Sequence, residues 1–157
     1  MRLEKDTWFD FPKECRRILC LPGCTYPSAS ALETAIDHPA YRFHHAPPEG
    51  RMMKFYFRDP AVMGHCTAHY PASGMKAEMR FDTDSLPWLG FWITTGGYRG
   101  EKNFAFEPAS AYYDTWTEAE KHNRLPLIEP GRDARIGLDI SLLPVRQGGM
   151  DCSSFSK

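Results

Sequence analysis

The chain has 157 residues, 42% apolar and 25% charged, with a formal net charge of −1, which fits one ordinary globular domain with one core. No basic patch offers a footprint for nucleic acid, the densest cluster being only Lys13, Arg16 and Arg17, and no apolar run approaches the ~20 residues of a membrane span. The opening Met-Arg-Leu-Glu-Lys-Asp has no apolar signal core, and the odd count of five cysteines fits reduced thiols, so a cytoplasmic protein is expected.

The first fifty residues are rich in breakers: Pro12, Pro22, Gly23, Pro27, Pro39, Pro47, Pro48 and Gly50. They read as an irregular lead-in with short strands and one turn of helix around Ser30 to Ile36. From Arg51 the apolar period becomes two. Met53, Phe55 and Phe57 take one face of a strand and Lys54, Tyr56 and Arg58 the other, until Asp59-Pro60 ends it. A second strand is expected over Val62 to Tyr70 and a turn over Pro71 to Gly74. Met75, Ala77, Met79 and Phe81 then alternate with Lys76, Glu78, Arg80 and Asp82, the clearest half-buried strand in the chain.

Leu86 to Thr94 is a nearly continuous apolar strand closed by Gly96-Gly97. Asn103 to Glu107 follows, with Phe104 and Phe106 on one face and Asn103, Ala105 and Glu107 on the other. Asp114 is the expected N-cap of a short helix reaching about His122. Pro130-Gly131 turns the chain into a last strand, in which Ala134, Ile136, Leu138, Ile140 and Leu142 alternate with Arg135, Gly137, Asp139 and Ser141. Residues 147–157 read as a disordered tail. Strands following strands, with one short helix, predict an all-β antiparallel sandwich forming a single domain over residues 1–146.

The cysteines and histidines do not assemble into a metal centre on paper. Cys15, Cys20 and Cys24 have a C-x4-C-x3-C spacing that is not a zinc knuckle, and no paired histidines follow at finger distance. His65 and His69 share a strand face but stand ~13 Å apart along it. His44 and His45 are adjacent and point apart, and His38 and His122 are isolated. No phosphate-binding or dinucleotide-binding loop is present, and no cofactor is expected.

One ordered set of motifs remains: Leu-Pro-Trp-Leu-Gly-Phe-Trp at 86–92, Gly96-Gly97, Asn-Phe-Ala-Phe-Glu-Pro-Ala-Ser at 103–110, Asp114 with its helix, and Leu-Ile-Glu-Pro-Gly at 127–131. This order and spacing resembles the C-terminal half of aldose 1-epimerases, the galactose mutarotase-like family. The resemblance implies about half of that family's β-supersandwich. It also implies that Glu107 is the base that takes the proton from the anomeric hydroxyl of a hexose or hexose derivative. In the family a histidine from the N-terminal half protonates the ring oxygen, and none of the histidines here matches it. Trp92 is the candidate to stack on the sugar and Lys54 a candidate to bind it, with Arg80 and Arg99 further down the order. The implied isomerase chemistry needs no cofactor. The missing half leaves two other readings open, a non-catalytic carbohydrate-binding sandwich and an inactive truncated product. It also predicts a homodimer through the face that half would cover.

Overall fold

The computed structural model describes residues 1–20, 25–26, 32–35, 40–42 and 48–145, with side chains described for 1–19 and 48–145. Among these described residues, eleven strands and one helix follow in chain order: β1 (Trp8–Asp10), β2 (Arg17–Cys20), β3 (Thr25–Tyr26), β4 (Leu32–Ala35), β5 (Ala40–Arg42), β6 (Met52–Phe57), β7 (His65–Tyr70), β8 (Met75–Phe81), β9 (Trp88–Thr95), β10 (Lys102–Ala109), α1 (Trp116–Lys121) and β11 (Leu138–Pro144). All pairings are antiparallel. One sheet runs β11-β8-β7-β1-β5, and the other β10-β9-β6-β2-β4 with β3 also paired to β6. The all-β sandwich expected from the strand pattern is the observed fold.

Register sorts the side chains. Directly opposed residues in an antiparallel ladder share a face, so the row Phe55–Phe91–Phe106 across β6, β9 and β10 lies on one side and Tyr56–Gly90–Glu107 on the other. The phenylalanine row is buried and forms the core with Phe9, Phe57, Leu89, Ile93 and Phe104. Phe9 links the sheets: its ring meets Phe91 at 4.9 Å and Phe104 at 4.7 Å, both edge-on, the arrangement that aromatic quadrupoles favour. The second row faces outward and carries the chemistry described below.

Several boundaries differ from expectation for identifiable reasons. The strand expected from Val62 begins at His65. Glu14 accepts hydrogen bonds from the backbone N–H groups of Val62 and Met63 and holds that stretch off the ladder, leaving Val62 73% exposed. Where a helical turn was expected around Ser30 to Ile36, Leu32–Ala35 forms β4, because pairing with β2 outweighs a weak local preference; residues 30, 31 and 36 lie outside the described residues. The N-cap of α1 is Thr115, not Asp114. Thr115 accepts from the Glu118 N–H at 3.3 Å, while Asp114 turns toward Lys54. Asn123 at φ +53° closes the helix, and Arg124 N–H donates to the Ala119 carbonyl at 2.7 Å. The final strand is β11, starting at Leu138 rather than Ala134, and every residue of it is exposed. The tail at 147–157, Cys24, Cys152, His38, His44 and His45, and the side chain of Cys20, lie outside the described residues.

Candidate active site

Glu107, Lys54 and Trp92 meet on the outer face of the six-stranded sheet. Lys54 and Trp92 oppose one another across β6 and β9, with Ala105 next in the row on β10. One row away, Gly90 separates Tyr56 from Glu107. Lys54 spans the diagonal, and its Nζ stands 2.7 Å from Glu107 Oε2. A second carboxylate joins from the loop after β10, Asp114 Oδ1 at 2.7 Å from the same ammonium. The Tyr56 hydroxyl donates to Asp114 Oδ1 at 3.3 Å.

The absence of a side chain at Gly90 makes this packing possible. A Cβ there would stand 2.9 Å from Cζ of Tyr56, so the phenol ring lies over the glycine. Tyr56 is in turn clamped by the loop that carries Asp114. Tyr113 packs on it at 4.5 Å between centroids and Tyr112 at 5.7 Å, and Trp88 meets Tyr112 at 5.1 Å. The Tyr113 hydroxyl donates to the carbonyls of Leu19 at 3.3 Å and Lys54 at 3.4 Å. The Arg124 guanidinium covers Trp88 and Tyr112 at 4.3 and 4.5 Å. These contacts form a second small core on the outer face, and they fix the loop carrying Asp114 against the sheet.

Electrostatics follows from this enclosure. Burial pulls the Lys54 ammonium toward its neutral form. Hydrogen bonds and charge from Asp114 and Glu107 outweigh that pull, and its pKa ends above the ordinary lysine value. Burial pushes the Tyr56 phenol up, and the charges of Asp114 and Glu107 add to the effect against the opposing pull of Lys54. Tyr56 is therefore a neutral hydrogen-bond donor at physiological pH. Glu107 Oε2 is enclosed, with the Lys54 ammonium 2.7 Å away as its partner. The side chain as a whole is 31% exposed.

Trp92 is half-buried on this outer face, edge-on to Tyr98 at 5.9 Å, and Arg99 stacks on Tyr98 at 5.3 Å. Arg80 is on the other sheet, with Nη2 3.8 Å from Glu78 Oε2. His65 and His69 are there too. His69 stacks flat on Trp8 at 3.6 Å and lies 2.9 Å from Asp10 Oδ2. Among the described residues, no set of His, Cys, Asp and Glu stands close enough to hold a metal ion. Among the described residues, four hollows of about 270–520 Å³ are lined by residues other than Glu107, Lys54 and Trp92.

No family model, curated protein or solved structure matches this chain. The reading of the site therefore rests on its own geometry. Sequence reasoning singled out Glu107, Lys54 and Trp92, which lie on one face, and did not place Asp114, Tyr56 and Gly90 beside them. Tyr56 and Gly90 carried a signal, since each shares strand parity with a residue already singled out, Tyr56 with Lys54 and Gly90 with Trp92. Asp114 carried none, because its position depends on how the tyrosine loop folds back.

Proposed function

We propose that the outer face of the six-stranded sheet binds a monosaccharide, and that the protein is an aldose 1-epimerase-like isomerase with Glu107 as its base. The observation that supports this best is the meeting of Glu107 with Lys54 beside Trp92 on one face, with Asp114 and Tyr56 joining them. Sugar sites combine flat apolar surface with fixed polar groups that orient hydroxyls. Here Lys54 holds Glu107 Oε2, and Oε1 is left to accept the proton of the anomeric hydroxyl. As that O–H bond breaks, the electrons form the C1 carbonyl and the C1–ring-oxygen bond opens. The ring oxygen takes a proton from an acid on the opposite side. Rotation about C1–C2 and the reverse steps give the other anomer, with no net gain or loss of protons. The family's half-supersandwich architecture belongs to this same proposal.

One observation favours a second reading, sugar binding without turnover. Among the described residues, no histidine lies against Glu107. His65 and His69 are on the opposite sheet, and His122 packs edge-on against Tyr112 at 5.8 Å and lies 3.7 Å from Glu118. The nearby proton donors are the Tyr56 hydroxyl and the Lys54 ammonium.

Polarimetry of freshly dissolved α-glucose and α-galactose separates the readings. Catalysed relaxation that falls by at least ~100-fold in Glu107→Gln is the expected result for the enzyme. NMR shifts of residues around Trp92 on sugar titration, with no acceleration of mutarotation, support binding alone. Neither shifts nor acceleration with a panel of aldohexoses and their phosphates rules out both.

A further inference from the structure

Among the described residues, the last strand is paired on one side only. On one side β11 pairs along its whole length with β8, and it ends the five-stranded sheet. Register aligns Leu138, Ile140 and Leu142 with Phe81, Met79 and Ala77, which are buried core residues. The row Phe9–Ala68–Ala77–Leu142 passes from 0% to 66% exposure within one sheet, so β11 overhangs the core and its apolar face is bare. Leu138 and Ile140 are 45% and 62% exposed, and a hollow of about 370 Å³ opens beside Ile140 and Leu142. Of the strand's seven residues only Asp139 is charged, so it lacks the lysines that usually blunt an edge.

The backbone shows which groups have no partner among the described residues. The Val145 N–H donates to Gly74, and the Gly137 carbonyl accepts from Asp82, so the odd-numbered residues turn their backbone groups toward β8. Leu138, Ile140 and Leu142 therefore turn theirs away, each with one donor and one acceptor; Pro144, of the same parity, has no N–H to offer.

We propose that this edge pairs with the same edge of a second copy, antiparallel about a two-fold axis at Ile140. Outward residues must meet outward residues, all even-numbered, so the axis lies on a residue. Centred on Asp139, it would set Asp139 against its own copy. Centred on Ser141, it would set Leu138 against Pro144 and lose a donor. Centred on Ile140, Leu138 faces Leu142 of the second copy, Ile140 faces itself, Asp139 faces Ser141, and each outward N–H has a carbonyl. The pairing makes one continuous ten-stranded sheet with a joined apolar strip. The exposed parts of Ile136, Leu138, Ile140 and Leu142 amount to on the order of 400 Å² per chain. That is about half of the ~800 Å² each partner gives to a standard stable interface, and the paired backbone edge adds to it. The proposal is independent of the sugar reading.

Sedimentation velocity from micromolar to submillimolar concentration tests it, with circular dichroism to verify folding of each variant. The wild-type chain is expected to dimerise. Ser141→Asp sets two like-charge pairs with Asp139 of the other copy and is expected to weaken the dimer about tenfold. Adding Asp139→Lys to that variant reverses the charge opposite and is expected to restore it. Ile140→Pro removes the N–H at the axis without touching the β8 ladder and is expected to abolish it. A monomer at every concentration overturns the proposal, and so does a dimer indifferent to both Ser141→Asp and Ile140→Pro.

Discussion

Lys54 stands between two carboxylates with only 22% of its side chain exposed, and both carboxylates depend on it. Removing the ammonium leaves Glu107 and Asp114 partly enclosed without their counter-charge, which costs more than a surface pair would. Lys54→Met is therefore expected to lower unfolding stability by about 2 kcal/mol in urea at neutral pH. Combining it with Glu107→Gln is expected to cost less than the two single changes together, because each removes the same interaction. The pH dependence has a definite sign. Folding raises the Lys54 pKa above its ordinary 10.5, so the stabilisation is complete below about that pH and is lost as pH rises through the folded value. The gap between wild type and Lys54→Met should shrink as urea curves are taken to higher alkaline pH. A gap that stays constant would mean the ammonium contributes through packing alone.

At the scale of the element, β9 shows how one small residue sets up its neighbours. Gly90 lets the Tyr56 ring lie across the strand, and that ring has no retreat, being 4% exposed, packed on Tyr113 and hydrogen-bonded to Asp114. Gly90→Ala is expected to cost about 1–3 kcal/mol through overpacking and to shift the NMR signals of Asp114 and Lys54. Gly137→Ala, where an added Cβ meets nothing within 4 Å, serves as the control and should change stability by no more than about 0.5 kcal/mol. The same strands show what was legible in the sequence. Met75 to Phe81 and Asn103 to Glu107, the middle of β10, announced themselves because Met79, Phe81, Phe104 and Phe106 are buried while Arg80, Asn103 and Glu107 face outward, and that asymmetry is written as period two. Glu107 and Lys54 could be placed on the outward face from parity alone. Their contact could not, because it needs the order β6-β9-β10 and a diagonal between rows. The pairings of the first fifty residues were illegible for a related reason. Strands of two to four residues carry too little alternation to register, and long-range pairing decides them. In β11 the alternation was plain, yet it foretold burial that the overhang does not supply.

Across the whole molecule, several ionisable groups are held protonated by burial. Burial, with the charges of Glu14 and Asp59, pushes the Cys15 thiol up to about 12. Burial and then Glu4 do the same for the Tyr70 phenol, also to about 12, and Cys66 and Tyr56 move in the same direction. Above the ordinary thiol value of 9.0 the unfolded chain sheds protons that the folded chain keeps, so stability falls as pH rises. Urea midpoints are expected to hold level up to about pH 9 and then decline steadily. Replacing Cys15 with Ala should soften the first part of that decline.

The placement of β1 has a consequence for anyone who shortens the chain. Trp8–Asp10 is the shared neighbour of β5 and β7, so the earliest strand is an interior plank of its sheet. Cutting away ten residues at the amino end would take out Phe9, the ring on which both layers close, and leave β5 and β7 facing a gap. Loss of residues 1–10 should therefore dismantle the sandwich, whereas ordinary terminal trimming would merely tidy it.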